Sequence, residues 1–155
     1  MNRRIVLAFV GLAIAGIFTP HGVFSQAPPS PSRRAINLPD DNSQLPFSGA
    51  ILAGNTLYMS GRIGIDAKTG KAPAEVDDEI KLLLDSYKTL LGQADFTMDD
   101  LVYVQISCTD LSYYDKFNAA YKSYFTRDLP TRQFIGVAAL LRGGHFEMQA
   151  IAVKD

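Results

Sequence analysis

The sequence predicts an α+β domain in which strands and helices follow the order β-β-α-β-α-β-β, with two helices on one face of a mixed sheet. Three observations lead there. Several short runs have the apolar content or alternation of half-buried strands, two stretches switch to a helical period, and Gly-containing turns lie between consecutive strands.

Ser48 to Leu52 and Thr56 to Ser60 are apolar-rich runs joined by Ala53-Gly54-Asn55, and since Gly and Asn tolerate positive φ a hairpin is expected. Asp66 to Lys71 is a polar loop. From about Val76 the period changes: Ile80, Leu83, Leu84, Tyr87 and Leu91 fall on one helical stripe, and Gly92 fits its stop. Leu101 to Thr109 alternates, with Val102, Val104, Ile106 and Cys108 on the inner face and Tyr103, Gln105, Ser107 and Thr109 on the other. Ser112 reads as the N-cap of a second helix, with Asp115 three residues on and Phe117, Tyr121, Tyr124 and Phe125 as its apolar stripe. Pro130 cannot continue that helix. Gln133 to Leu140 and Phe146 to Val153 read as two last strands around Arg142-Gly143-Gly144-His145, a turn built for positive φ. The sheet face away from the helices then carries Tyr103, Ile135, Ile151 and Val153, so oligomerisation through the sheet is expected.

Residues 1–25 read as a secretory signal: Arg3 and Arg4 precede the apolar run Ile5 to Phe18, and Val23-Phe24-Ser25 offers a cleavage site. The rival reading is an uncleaved anchor, although the run is shorter than the roughly 20 residues a spanning helix needs. Residues 26–34, rich in Pro and Ser, read as a disordered linker, leaving 35–155 as the working domain. Export would place the protein in the periplasm or outside the cell.

The whole chain of 155 residues has a formal net charge of -1. Signal removal would take two of the 15 basic residues and no acid, leaving 13 against 16, a charge of -3. That balance disfavours a general nucleic-acid binder. A single cysteine, Cys108, excludes an internal disulfide and gives a thiolate zinc site no partners. The segment Gly64 to Lys71 is a poor phosphate loop, because five residues separate its glycines and Ala72 replaces the hydroxyl residue. Past residue 25 His145 is the sole histidine, so a histidine metal cluster is excluded, and no GxSxG, HExxH or CxxC occurs.

Two charges stand in unexpected places. Arg132 opens an apolar strand, where a guanidinium is costly to bury without an anion, and Glu147 lies between Phe146 and Met148 in another. From patterning alone, each also reads as an outward-facing solvated side chain.

Around these two residues the sequence resembles a known family. Leu129-Pro130-Thr131-Arg132, the run Phe146 to Ala152, Met59-Ser60-Gly61 and Phe117-Asn118-Ala119-Ala120-Tyr121 together resemble the RidA (YjgF) family of imine and enamine deaminases, over about residues 36–155. The resemblance implies a chorismate-mutase-like homotrimer with pockets between subunits. It also implies hydrolysis of small 2-imino acids to 2-keto acids and ammonia, without metal or organic cofactor. By position, Arg132 matches the arginine that grips the substrate carboxylate, and Glu147 the acid that positions water. Ser60, Gly61 and Asn118 match pocket-lining positions. Phe47 stands where many members carry tyrosine, and Phe134 where many carry cysteine, so both pocket positions depart from the pattern. Those departures, with export, favour the alternative of a non-catalytic carboxylate binder or chaperone-like protein of the same fold. A ribonuclease, a label the family has carried, is disfavoured by the acidic charge and the lack of a histidine pair.

The simple hairpin register puts Glu147 opposite about Leu140, eight residues from Arg132. At roughly 3.3 Å per residue that is on the order of 25 Å, so a site holding both residues is expected to join two subunits of a trimer.

Overall fold

The computed structural model describes residues 32–39 and 45–154. The expected signal segment, and the expected linker apart from Ser32, Arg33 and Arg34, lie outside these residues. Among the described residues six strands form one mixed sheet, β1 (Arg33–Ile36), β2 (Ala50–Ala53), β3 (Thr56–Ile63), β4 (Leu101–Cys108), β5 (Thr131–Gly136) and β6 (Phe146–Val153). Their spatial order is β1-β2-β3-β6-β4-β5. Two helices, α1 (Val76–Gly92) and α2 (Tyr114–Lys122), pack on one face.

The hairpin read from Gly54-Asn55 is present, with Gly54 at φ 63° and Ala53 paired with Thr56. The stripe of α1 is the centre of the core: Ile80, Leu83, Leu84, Tyr87, Leu90 and Leu91 are fully buried. They meet Leu57 and Met59 of β3, Val104 and Ile106 of β4, and Phe146, Met148 and Ala150 of β6 in one apolar cluster. Burying each such side chain stabilises the domain by roughly 1.5–3 kcal/mol before its ordering entropy is counted. The opposite face is open, with Ile51, Tyr58, Ile151 and Tyr103 side by side across β2, β3, β6 and β4. Tyr58 is 52% exposed there, and the other three are half-buried.

Four local expectations are corrected. The chain enters the sheet earlier than expected, because Arg33 and Arg34 pair with Ala53 and Leu52; an edge strand needs only backbone partners, and charged side chains there discourage further pairing. Val102 is 45% exposed, since the register slips between Leu101 and Tyr103, turning Leu101 inward and Val102 out. The stop read at Gly92 holds, since α1 ends there, and the left-handed residue beyond it is Asp95, at φ 62°. The cap before α2 is Asp110, whose carboxylate accepts the Ser112 N–H at 2.9 Å and opens a short 3-10 turn.

The fourth correction is topological. Arg142 and Gly143 do have positive φ, 57° and 74°, but they do not close a hairpin. β5 stops at Gly136 and pairs in parallel with β4, while β6 is antiparallel to both β3 and β4. Positive-φ turn chemistry fixes a local bend; which strand the chain then joins is decided by the apolar pairing of β6 with the centre of the sheet.

Candidate functional site

Glu147 projects from β6 onto the open face. There it lines a concavity of about 360 Å³ together with Phe47, Ser60, Gly61, Gln105, Ser107 and Gln149. The floor is made by an irregularity in β3. Met59 pairs with Ala150 and Arg62 with Met148, so Ser60 and Gly61 both stand opposite Gln149. Such a bulge bends the strand and re-aims its side chains. A Cβ on Gly61 would lie 2.2 Å from Glu147 Oε1, so the carboxylate occupies the space that the missing side chain leaves. Ser60 is tied down by its hydroxyl, which donates to Ser48 O at 2.7 Å, and by its N–H, which donates to Gly49 O at 2.9 Å. Phe47 sits at the rim, 54% exposed.

Arg132 lies on the other face. It pairs with Val104, an inward-facing residue of β4, at the β5 edge of the sheet. Its Nη2 donates to Asn118 Oδ1 at 2.6 Å, and its guanidinium lies 5.0 Å from the Tyr121 ring, 5.6 Å from Phe134 and 5.7 Å from Tyr114. The aromatic faces favour the cation and the single amide fixes its orientation. Phe134 is clamped edge-on between Tyr114 and Phe117, at 5.0 and 5.7 Å. Burial pushes the Tyr121 phenol up to about 12, against the opposing pull of Arg132, so it stays neutral beside the cation.

The seven residues singled out in the sequence therefore fall into two groups. Phe47, Ser60, Gly61 and Glu147 share the concavity, while Arg132, Asn118 and Phe134 share the helix-covered edge. Arg132 is level with Val104 and Glu147 with Ser107, three residues along β4 and two strand spacings apart, or roughly 14 Å between backbones that present opposite faces. This replaces the 25 Å hairpin estimate, and one small substrate still cannot reach both groups within one chain.

Sequence reasoning placed Gln105 and Ser107 on the right face without assigning them to a site, and it missed Gln149. It also missed Glu79, the one charged side chain among the described residues that is fully buried. The signal was there, since Glu79 stands three residues after Val76 and four before Leu83, on the apolar stripe itself. Its Oε1 accepts the N–H groups of His145 and Phe146 at 2.7 and 2.9 Å, and its Oε2 lies 2.6 Å from His145 Nδ1. Cys108 is buried against the helices, and burial pushes its thiol up, away from the reactive thiolate. Among the described residues no three His, Cys, Asp or Glu side chains gather to hold a metal ion, and no helix is long and apolar enough to cross a membrane.

Sheet, helices and site together define a small α+β protein with an arginine among aromatic rings at one sheet edge and an acid in a concavity on the other face. Residues 40–154 match the family model described as Endoribonuclease L-PSP. The chain is 34% identical over 110 residues to the 2-iminobutanoate/2-iminopropanoate deaminase of Bos taurus, covering 70% of this chain and 80% of that protein. The crystal structure of the E. coli YjgF gene product superposes with a TM-score of 0.72 at 28% identity, over 79% of this chain and 99% of that one. E. coli TdcF with bound serine gives 0.73 at 28%, with the same coverage. The chain belongs to the RidA (YjgF) family.

Proposed function

We propose that this protein is a cofactor-independent deaminase that hydrolyses small 2-imino acids to 2-keto acids and ammonia. The observation that carries this reading is the Glu147 carboxylate held over Gly61 in a polar concavity, with a caged arginine available to take the substrate carboxylate. The planar guanidinium of Arg132 pairs bidentately with that carboxylate. Glu147 orients a water and draws off its proton as the oxygen bonds to the imine carbon. The proton returns to nitrogen; Glu147 then takes the remaining hydroxyl proton of the tetrahedral intermediate and passes it to the same nitrogen, so that the C–N bond breaks and ammonia leaves as the new C=O forms. Water and imine are thus fully consumed. The names of the bovine relative and of the family members around it support this class of reaction. The serine bound to TdcF supports a site sized for a small amino-acid-like molecule.

Two further features complete the proposal. Three copies packed through the open sheet face bury Tyr58, Tyr103 and Ile151 and bring the Arg132 edge of one subunit to the Glu147 concavity of the next. Residues 1–25 act as an export signal, so the protein works outside the cytoplasm. The family description favours a second reading, an endoribonuclease, which the net charge of -1 and the open-face acid both oppose.

The test is to generate 2-aminoacrylate in place with a dehydratase and follow keto-acid release. Acceleration by this protein sustains the deaminase reading; tight 2-keto-acid binding without acceleration favours the carboxylate binder, and RNA cleavage favours the ribonuclease. Light scattering should give three times the subunit mass. Exchanging subunits between inactive Arg132→Ala and inactive Glu147→Gln trimers should restore partial activity, and no recovery after proven exchange would end the shared-site idea.

A further inference from the structure

Glu147 reaches its place over Gly61 only if β6 keeps its register beside an irregular strand. The bulge at Ser60 and Gly61 interrupts the β3–β6 ladder next to it, and β6 itself begins just one residue earlier, at Phe146. A strand end beside a bulge is where a ladder is weakest. Both weak points are met from behind the sheet by buried side chains of α1. On one side the Tyr87 hydroxyl, fully buried, reaches the carbonyl oxygens of Ser60, at 2.9 Å, and of Met148. Its single proton is shared across the bulge, joining the two strands where their register slips. Burial pushes the Tyr87 phenol up, so it remains a donor. On the other side Glu79 takes the N–H groups of His145 and Phe146 on one oxygen and faces the His145 ring with the other. Residues 79 and 87 are eight apart, two helical turns, and so share the stripe that faces the sheet. The backbone is thereby pinned at residues 145, 146 and 148, with the side chain of Glu147 between them pointing the opposite way.

We propose that Glu79 and Tyr87 are positioning residues that hold the Glu147 carboxylate over Gly61 by fixing β6 on both sides of residue 147. The role rests on Glu147 being the acid that orients water. Neither side chain touches the concavity, and each acts only through the strand.

Tyr87→Phe keeps the ring in the core and removes the hydroxyl alone. It should leave the circular dichroism and the oligomeric mass unchanged, lower kcat about 10-fold as the carboxylate loses its set position, and change KM less than about twofold. In a Glu147→Gln background the same change should add less than about twofold, because residues acting through one another are not additive. Glu79→Gln, which retains an oxygen for the two N–H groups, should lose less turnover than Glu79→Ala. Unchanged kcat in Tyr87→Phe, or an equal loss with and without Glu147, would overturn the proposal. If the unsubstituted protein hydrolyses no imine, the deaminase reading fails separately, and amide hydrogen exchange then decides the brace. Faster exchange at residues 147–149 in Tyr87→Phe sustains it, and unchanged protection removes it.

Discussion

Arg132 and Glu147 sit on the same sheet, yet their surroundings are built from different materials. Arg132 is held by side chains: an amide from Asn118 and three rings from Tyr114, Tyr121 and Phe134, all borne by α2 and the edge strand. Glu147 is held by backbone, over a glycine and beside a bulge, in a concavity lined by Ser60, Ser107, Gln105 and Gln149. A cation proposed to grip an anion gains from aromatic, polarizable walls that orient it. An acid proposed to handle water gains from polar walls that admit it and from a mount stiff enough to aim it. Under the proposed function, binding falls to one half-site and chemistry to the other, and each substitution below is a way to break that division.

The largest expected effect is at Glu147. Glu147→Gln keeps size and hydrogen-bonding reach but removes the proton acceptor, so kcat should fall roughly 10²–10⁴-fold while affinity for a 2-keto acid stays close to unsubstituted. Steady-state kinetics beside calorimetric titration of the keto acid separate the two. Equal losses in both would mean that the acid also binds substrate, and an unchanged kcat would remove it from the mechanism.

Arg132 should show the opposite balance. Arg132→Ala should weaken keto-acid binding on the order of 10²-fold, as a bidentate charged pair is lost. Arg132→Lys should recover little of it, because an ammonium lacks both the fork and the planar face that lies against three rings. Affinity unchanged in Arg132→Ala would place the anion elsewhere.

How far this division could be read from the sequence depended on what each feature needs. The alternation of Val104, Ile106 and Cys108 and the stripe from Ile80 to Leu91 are local patterns, and the structure reproduces them. The face each charge occupies was not local. Arg132 became an inward residue because β5 lies parallel to β4, and Glu147 an outward one because β6 lies between β3 and β4; the turn at Arg142 and Gly143 carries no information about either partner. The identities of Arg132, Glu147, Ser60, Gly61 and Asn118 were legible through motif resemblance, whereas Gln105, Ser107 and Gln149 look like any polar strand face until the strands are placed side by side. The bulge was hidden for the same reason, since Met59-Ser60-Gly61-Arg62 reads as an unbroken strand and its slip exists only relative to Ala150 and Met148. Glu79 is the exception, a charge on an apolar stripe and so a signal that is itself local.

The smallest effect expected tests the mount beneath Glu147. At Gly61 an added methyl would stand 2.2 Å from Glu147 Oε1 and 3.1 Å from its Cδ, an overlap no real contact sustains. The atoms in the way are the far end of a side chain rather than backbone, so the strand need not move and the carboxylate swings aside instead. Gly61→Ala should therefore fold and assemble as before, with a melting temperature within a few degrees, and lose roughly 10-fold in kcat because the acid no longer aims its water. Keto-acid affinity should be preserved, since within the chain Gly61 lies on the opposite face from the Arg132 cage. Thermal unfolding, kinetics and calorimetry on this one variant answer all three points. A drop in affinity without a drop in kcat would show that the concavity grips the substrate carboxylate as well, and the division between a side-chain-built anchor and a backbone-built acid would then fall.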